Sequence, residues 1–507
     1  MSFLFIHASH DGAITIVKDK QIVVHTQIER FNRFKHTSFP SKLLIDCINN
    51  LNLNFKEIHI TGIYNNHCVD QWAEILRANQ IEVKNVKLFS DYNSHHDYHA
   101  YSNKLINIPE DSHFLVWDLA GDRITEENDT RFEQTSIYDN NLNIIYKDWY
   151  KNSKRNVCIA RTYHYLTNLL GLNKYNDFND GKTMALSSFG EFNEELFNKI
   201  YNDNFIYQNN NTFENVKLTT LKEDKFSLNF VKTFQRACEA RAENIINKIN
   251  ADNISLSGGV SQNILINTKL SKSKKIFVNP LCNDQGISLG KAYKILNGNI
   301  NKINNFYLGF KHTFNEDLFL KEFTLHKVTL TDVCKILYND PIAIFQGRSE
   351  QGQRALGNRS LLMNPTHVNA IEKVNNIKKR EWYRPFACSI LNEKFEEYFF
   401  PNYNTIPYYM NFVYKIRESK KEKLKSVLSN DDYSRVQSVK LEHNINYYNL
   451  IKEFNEVYNI PVLLNTSLNL PGEPIVETYE DLKKMLLQSN LKYGYLPEQS
   501  LLIKKLN

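Results

Sequence analysis

Short apolar runs at residues 2–6, 58–63, 113–117 and 253–256 have the length of strands, and helical patterns such as residues 229–249 lie between them. A chain whose hydrophobic period alternates in this way buries sheets against helices, so the architecture it specifies is mixed α/β. Residues 13–26 alternate apolar and polar side chains around Lys18-Asp19-Lys20, the pattern of a β-hairpin opening the chain. At 507 residues the chain exceeds what one core usually serves, and two or three domains are expected. The polar, Asn-rich stretch 193–225 separates motifs that make sense only together, so it reads as a surface insertion. A second Asn/Lys-rich stretch at 297–305 precedes a change of character and sets a linker between 297 and 330. The expected domains are therefore 1–310 and 330–507. The sequence shows no internal repeat.

Composition removes several function classes. Hydrophobic residues make up 42% and charged residues 23%, the balance of a folded globular protein. No run approaches the roughly 20 apolar residues that span a bilayer, and Met-Ser-Phe-Leu-Phe-Ile-His carries no basic leader, so neither membrane insertion nor secretion is expected. A net charge of +6, from 62 basic and 56 acidic residues, is too slight and diffuse to mark a nucleic-acid surface. The basic run at 420–425 reads as a solvated helix face. Seven scattered cysteines without a Cys-x-x-Cys pair fit a reducing cytoplasm.

Candidate chemistry begins with His95 and His99, whose four-residue spacing puts both rings on one helix face, where they can share a metal ion. A surface or core role is the alternative. Asp118 ends the run Phe-Leu-Val-Trp and enters a Gly-bearing turn, either as a ligand or as a turn residue. Asp284 stands just before a helix, either as a ligand or as a cap. Two His and two Asp suit iron or another borderline divalent ion. The Ser-Gly-Gly-Val turn at 257–260 exposes amides fit for phosphate, and Asp180 and Lys182 flank Gly181 in a similar setting. Residues 346–365 interleave glycines with Arg348, Arg354 and Arg359, whose planar forks suit a polyphosphate; the alternative is a solvated loop.

Taken in order, these residues resemble the carbamoyltransferases of the nodulation and antibiotic-tailoring type. The resemblance runs from about residue 3 to residue 496 through His-Asp-Gly-Ala at 10–13, Glu-Arg-Phe at 29–31 with Lys35-His36 behind it, and His-His-x-x-His-Ala from His95. It continues through Gly-Lys-x-Met-x-Leu from Gly181, Ser-Gly-Gly-Val, and Asp-x-Gly-x-x-x-Gly-x-Ala from Asp284. It is strongest in the second domain, in Glu-x-Gly-x-Arg-Ala-Leu-Gly-x-Arg-Ser at 350–360, Lys-x-Arg-Glu-x-x-Arg-Pro-Phe at 378–386 and Asn-Thr-Ser-x-Asn at 465–469.

That resemblance implies a first domain of the actin-like, sugar-kinase-like ATPase fold and a smaller α/β domain similar to threonylcarbamoyl-adenylate synthases. It implies ATP with Mg2+, and carbamoyl phosphate as substrate. The second domain would form carbamoyl adenylate with release of pyrophosphate, and the first would pass the carbamoyl group to a hydroxyl of a sugar, antibiotic precursor or nucleotide. It implies a divalent metal, usually iron, on His95, His99, Asp118 and Asp284, with His10 as base toward the acceptor and Lys35 and Asp180 beside the adenylate. Contacts to ATP and carbamoyl phosphate fall to Arg354, Lys378, Arg380, Arg384, Arg435 and Asn465. The chain departs from the family pattern at 429–434, where Arg435 is retained but the usual His and Gly-Thr are replaced, and at Ala185, where Gly is usual. A small-molecule kinase on the same fold and a nucleotide-binding regulator without catalysis are the other readings. A homodimer is compatible with the sequence.

Overall fold

The computed structural model of the chain describes all residues except 63–65, 80, 82–85, 89–93, 127–128, 152–157, 174–177, 203–223 and 507. Most of the Asn-rich insertion, and the end of the run expected at 58–63, lie outside the described residues. The architecture is mixed α/β, built on three sheets.

The first sheet holds β1 (Ser2–His7), β2 (Ala13–Lys18), β3 (Gln21–Gln27), β4 (Phe55–Thr61) and β5 (Val86–Leu88) in the order β3-β2-β1-β4-β5. Strands β1, β2 and β3 are antiparallel neighbours, and β4 and β5 add parallel to β1. The expected hairpin is β2–β3, and Asp19 and Lys20 make its turn with left-handed backbones.

The second sheet holds β6 (His113–Trp117), β7 (Arg123–Glu126), β8 (Asp129–Tyr138), β9 (Ile144–Lys151), β10 (Asn253–Ser257) and β11 (Lys275–Val278). Its order is β11-β10-β6-β8-β7, with β9 also paired to β8; β6, β8 and β9 are antiparallel neighbours and β10 and β11 run parallel to β6, so five of its six strands repeat the order and directions of the first sheet and β7 is additional. The two sheets are thus a structural repeat. It is invisible in the sequence because it resides in strand order and direction, which many side-chain sets satisfy.

The helices His95–Asn103 and Ile287–Ile295 fill the space between the two sheets, the first against β6 and β10 and the second against β1 and β2. They approach so closely at Gly290 that a Cβ there would lie 1.8 Å from the Tyr98 carbonyl oxygen. The pattern expected at 229–249 is the helix Lys225–Ile246, whose apolar stripe of Leu228, Val231, Phe234, Cys238 and Ala242 is buried.

The third sheet takes nine strands, β12 (Phe323–Lys327), β13 (Ile342–Phe345), β14 (Arg359–Met363), β15 (Ala387–Leu391), β16 (Val413–Lys415), β17 (Tyr433–Val439), β18 (Val462–Ser467), β19 (Tyr493–Leu496) and β20 (Leu501–Lys505). Their order is β12-β20-β19-β13-β14-β18-β15-β17-β16. The middle strands are buried at nearly every position, as expected of a sheet covered on both faces.

Side chains, not only surfaces, join the third sheet to the rest. Arg30 is buried and donates to the Gly352 carbonyl at 3.0 Å, while Arg33 donates to the carbonyls of Ile475 and Pro474 at 2.8 and 2.7 Å. Arg348 returns the contact, donating to the carbonyls of Gly309, Leu308 and Val23. Gly352, at φ +104°, passes so near the Pro280 carbonyl that a Cβ would sit 2.7 Å from its oxygen, so a glycine is required there on two counts. One of the glycines expected to cradle phosphate therefore serves the approach of two loops.

Arg359 is likewise not a phosphate ligand. It is fully buried, stacks 3.6 Å from the Phe345 ring centroid and donates to the carbonyls of Gln346, Asn358, Gly347 and Glu477. Replacing it leaves those carbonyls unpaired, so Arg359→Ala is expected to cost about 3 kcal/mol or more of stability. Urea unfolding measures this, and a loss below about 1 kcal/mol would show that the guanidinium does not hold this loop.

Candidate functional site

His95 and His99 project from the first turns of the helix His95–Asn103, whose start is held from a distance because Asp122 accepts a hydrogen bond from the His95 amide at 2.9 Å. Asp118 follows β6, and its Oδ1 accepts from the Leu119 amide at 2.7 Å, leaving Oδ2 to face the histidines. Asp284 opens the turn before the helix Ile287–Ile295, and its carboxylate faces the same point. His95 Nε2 lies 3.5 Å from Asp118 and 3.6 Å from Asp284, and His99 Nε2 lies 3.3 and 3.4 Å from them. Asp284 thus faces both histidines, and Asp118 faces them with one oxygen while the other serves the turn.

The four side chains fit a metal ion. Donor atoms spaced in this way can each lie about 2.0–2.2 Å from one centre, and both nitrogens of His99 and Nδ1 of His95 are buried without a hydrogen-bond partner. Burial opposes charge on Asp118 and Asp284, yet the facing imidazoles hold both carboxyls below the ordinary range. For His95 burial likewise disfavours the cation, but Asp284 and Asp118 outweigh it and raise the ring to about 9. Two carboxylates and two imidazoles so placed make a group that could hold a metal ion.

His10 sits beside this cluster and does not stand alone. Its Nδ1 is 3.2 Å from Asp11, its ring stacks on His36 at 4.8 Å and 7°, and Phe178 meets it edge-on at 4.7 Å. Burial opposes its charge, but the hydrogen bond and charge of Asp11, helped by Asp284 and Asp118, raise it to about 9. Phe178 also packs against His164 at 4.9 Å, and His164 Nδ1 is 3.5 Å from Asp180, so Asp180 belongs to the same wall. A cavity of about 330 Å³ adjoins Asp118, lined among others by Gln134, Tyr146, Asp148 and Arg241.

The remaining expected residues gather at one end of the third sheet. In register across β14, β18 and β15 lie Leu362, Asn465 and Ala387, and Arg435 occupies β17 beside them. Arg354 comes from the loop between β13 and β14, and Arg380 and Arg384 from the loop before β15. Asn465 is fully buried; its amide donates to Ala355, Ser389 and Gln437, and its Oδ1 has no partner. Lys378 is committed to the end of β18, donating to Ser467 and Asn469 at 2.6 Å. Arg380 donates to Thr466 at 2.6 Å and stacks on Phe386.

Arg354, Arg380, Arg384 and Arg435 repel one another. Burial first, and then the neighbouring guanidiniums, lower the proton affinity of Arg380 to about 9 and drive that of Arg435 far below its usual value. Lys378 is lowered in the same way, with Lys35 adding to the repulsion. Among the described residues the carboxylate that pairs with this group is Glu381, 3.1 Å from Arg384. Glu381 also holds Lys182 of the first domain at 2.8 Å.

A loop contact joins the two clusters, since Gly352, two residues from Arg354, packs against the carbonyl of Pro280, four residues before Asp284. Lys35 is exposed in the turn next to His36 and faces the Lys378 side. The turn 429–433, where the chain departs from the family pattern, is closed by the Ser429 amide on the Tyr433 carbonyl at 2.7 Å. It reaches the first domain through Asn430, which donates to the Ser188 carbonyl at 3.0 Å. Sequence reasoning missed Asp11, His164, Phe178, Asn283 and Glu381; the His10-Asp11 pair was the available signal for the first of these.

Comparison with known proteins decides the family. A profile of carbamoyltransferase N-termini matches residues 63–293, and one of carbamoyltransferase C-termini matches residues 334–505. The chain belongs to the carbamoyltransferase family. As a carbamoyltransferase it is an enzyme of the transferase class. An uncharacterized protein of Methanocaldococcus jannaschii is 29% identical over 95% of this chain and 96% of its own. The nodulation protein NolNO of Sinorhizobium fredii is 28% identical over 98% of this chain and 79% of its own. The 3'-hydroxymethylcephem-O-carbamoyltransferase of Amycolatopsis lactamdurans is 31% identical over 45% of this chain and 44% of its own.

The metal reading makes a direct prediction for this carbamoyltransferase. His99→Ala should lower bound divalent metal at least about tenfold, the lower end of what disturbing a metal shell produces. Metal analysis of dialysed wild type and variant measures it, and equal occupancy would remove the ion from this place.

Proposed function

We propose that the chain is an ATP-dependent O-carbamoyltransferase: water releases inorganic phosphate from carbamoyl phosphate, the carbamate formed attacks the α-phosphorus of ATP and displaces pyrophosphate, and the resulting carbamoyl adenylate gives its carbamoyl group to a hydroxyl and releases AMP. The observation that carries this reading is the group of Arg354, Arg380, Arg384 and Arg435, crowded together with Glu381 as the pairing carboxylate among the described residues. Cations kept so close call for a ligand of several negative charges, and the planar guanidinium is the group suited to phosphate oxygens. ATP and carbamoyl phosphate together supply those charges, with Mg2+ accompanying the ATP.

The division of labour is between two domains, the first of about residues 1–310 and the second of about residues 330–507. In the second, Arg354, Arg380, Arg384 and Arg435 orient the phosphates while Lys378 and Asn465 fix the end of β18 from which Thr466 holds Arg380. In the first, a divalent ion on His95, His99, Asp118 and Asp284 would polarise the carbamoyl carbonyl. His10 takes the proton of the attacking hydroxyl, a task suited to imidazole. Its proton affinity in the bare site is raised partly by Asp284 and Asp118, the two carboxylates assigned to the ion. Lys35 and Asp180 stand on either side of the His10 ring system and border the adenylate. The cavity of about 330 Å³ beside Asp118 offers room for the acceptor.

Pyrophosphate release tests the reading. Wild-type protein given ATP and carbamoyl phosphate should form pyrophosphate; formation of ADP instead would indicate a kinase, and formation of neither would indicate a binding protein without catalysis. Arg354→Ala should abolish the pyrophosphate signal. His10→Ala should leave it within about twofold while lowering carbamoyl transfer by about a hundredfold or more, the usual scale for loss of a general base. An equal loss in both variants would point to a single active site.

A further inference from the structure

Asp11 is the only described residue whose carboxylate joins His10 to another ring. Its Oδ2 lies 3.2 Å from His10 Nδ1, and its Oδ1 accepts from His36 Nδ1 at 2.7 Å. A third bond ties it to the metal loop, because Asn283, next to Asp284, donates to Asp11 Oδ2 at 3.1 Å. Asp11 and His36 both hold left-handed backbones, φ +53° and +59°. Side-chain-bearing residues keep that conformation when the surroundings require it, and such positions gather at working sites. The 2.7 Å contact is the length of a charge-assisted hydrogen bond and is shorter than two ligands of one ion usually lie apart, so these three residues form a hydrogen-bonded set and not a second metal centre.

We propose that Asp11 is a positioning residue that fixes the proton of His10 on Nδ1 and tethers His36 as a second working imidazole on the same carboxylate. The proposal rests on the reading of His10 as the base for transfer. The neutral imidazole carries one proton; with Asp11 accepting at Nδ1 its lone pair falls on Nε2, a buried atom without a partner, and because Asp11 raises the ring to about 9 the share of His10 in this neutral form grows as pH rises toward that value. As the acceptor oxygen bonds to the carbamoyl carbon, its O–H bond breaks and the proton passes to His10 Nε2. The bond from that carbon to the phosphate oxygen breaks in turn, and its electron pair leaves with AMP. The imidazolium so formed lies against the Asp11 carboxylate.

His36 takes the complementary part. It stacks on His10 within 7° of parallel, is bonded to the other Asp11 oxygen, and adjoins Lys35 in the chain. Asp11 favours its charged form, which places a cation beside Lys35 for the departing phosphate. One carboxylate thus supports a proton acceptor on one oxygen and a phosphate partner on the other, the kind of split assignment that neighbouring titratable groups make.

Proton NMR of the full-length protein, together with pyrophosphate and AMP formation from ATP and carbamoyl phosphate with water as final acceptor, tests the proposal. Wild type should show two exchange-protected imidazole N–H resonances at low field, one lost in His10→Ala and the other in His36→Ala. Asp11→Asn should lose both and lower AMP formation by about a hundredfold, while pyrophosphate release, the second domain's own reaction, shows that the protein is folded. Retention of either resonance in Asp11→Asn, or unchanged AMP formation, overturns the proposal. If Asp11→Asn does not fold, His36→Gln decides: it should keep the His10 resonance and lower AMP formation about tenfold, and unchanged AMP formation rejects the His36 role. Absence of pyrophosphate from wild type would sink the adenylate reading instead, and the resonances would still report whether Asp11 pairs both rings.

Discussion

Repulsion among Arg354, Arg380, Arg384 and Arg435 is the constraint around which the rest of this carbamoyltransferase is arranged. Unit charges a few ångströms apart inside a protein repel by several kcal/mol, and Glu381 offsets one of them. The cost is met by rigid surroundings. Thr466 and the Phe386 ring hold Arg380, the buried amide of Asn465 ties the loop before β14 to β15 and β17, and Lys378 is locked onto the end of β18. These contacts fix the guanidiniums where they stand, so their crowding is a property of the fold.

The opposite charge pattern lies on the other side of the same loop. Asp118 and Asp284 lie with His95 and His99, and this group meets the loop that carries Arg354 where Gly352 packs on the Pro280 carbonyl. Contacts from both directions keep the two sites at a fixed separation: Arg30 on Gly352, Arg33 on Pro474 and Ile475, Arg348 on Leu308, and Lys182 on Glu381. A reactive mixed anhydride made at one site is best used at a neighbouring site from which water is excluded, and this geometry suits that use.

Much of this was legible in the sequence where a residue's role follows from its local spacing. The four-residue step from His95 to His99, the strand end at Asp118 and the helix start at Asp284 each state a position in one element, and the hairpin at 13–26 and the strands at 113–117 and 253–256 follow from period alone. Roles that depend on remote partners were not legible. Arg348, Arg354 and Arg359 look alike in a Gly-rich run, but the first is taken by carbonyls of Leu308 and Gly309 and the third by those of Gln346 and Glu477, while the second has the guanidiniums of Arg384 and Arg435 as neighbours. The duplicated sheet was hidden because its two copies share strand order and not residues. Asp11 was hidden because its importance comes from His36, 25 positions away, and Asn283, 272 positions away.

The central claim is that both half-reactions share one enclosed space within a single chain, and mixing two inactive variants tests it most directly. Arg354→Ala, which lacks adenylate formation, and His10→Ala, which lacks transfer, would be combined with ATP, carbamoyl phosphate and water as acceptor, and AMP formation would be compared with that of each variant alone. If the adenylate stays inside the chain that made it, the mixture should form AMP no faster than the sum of the two variants. Recovery of a substantial share of the wild-type rate would mean that the adenylate travels through solvent between molecules, and the shared space would be refuted.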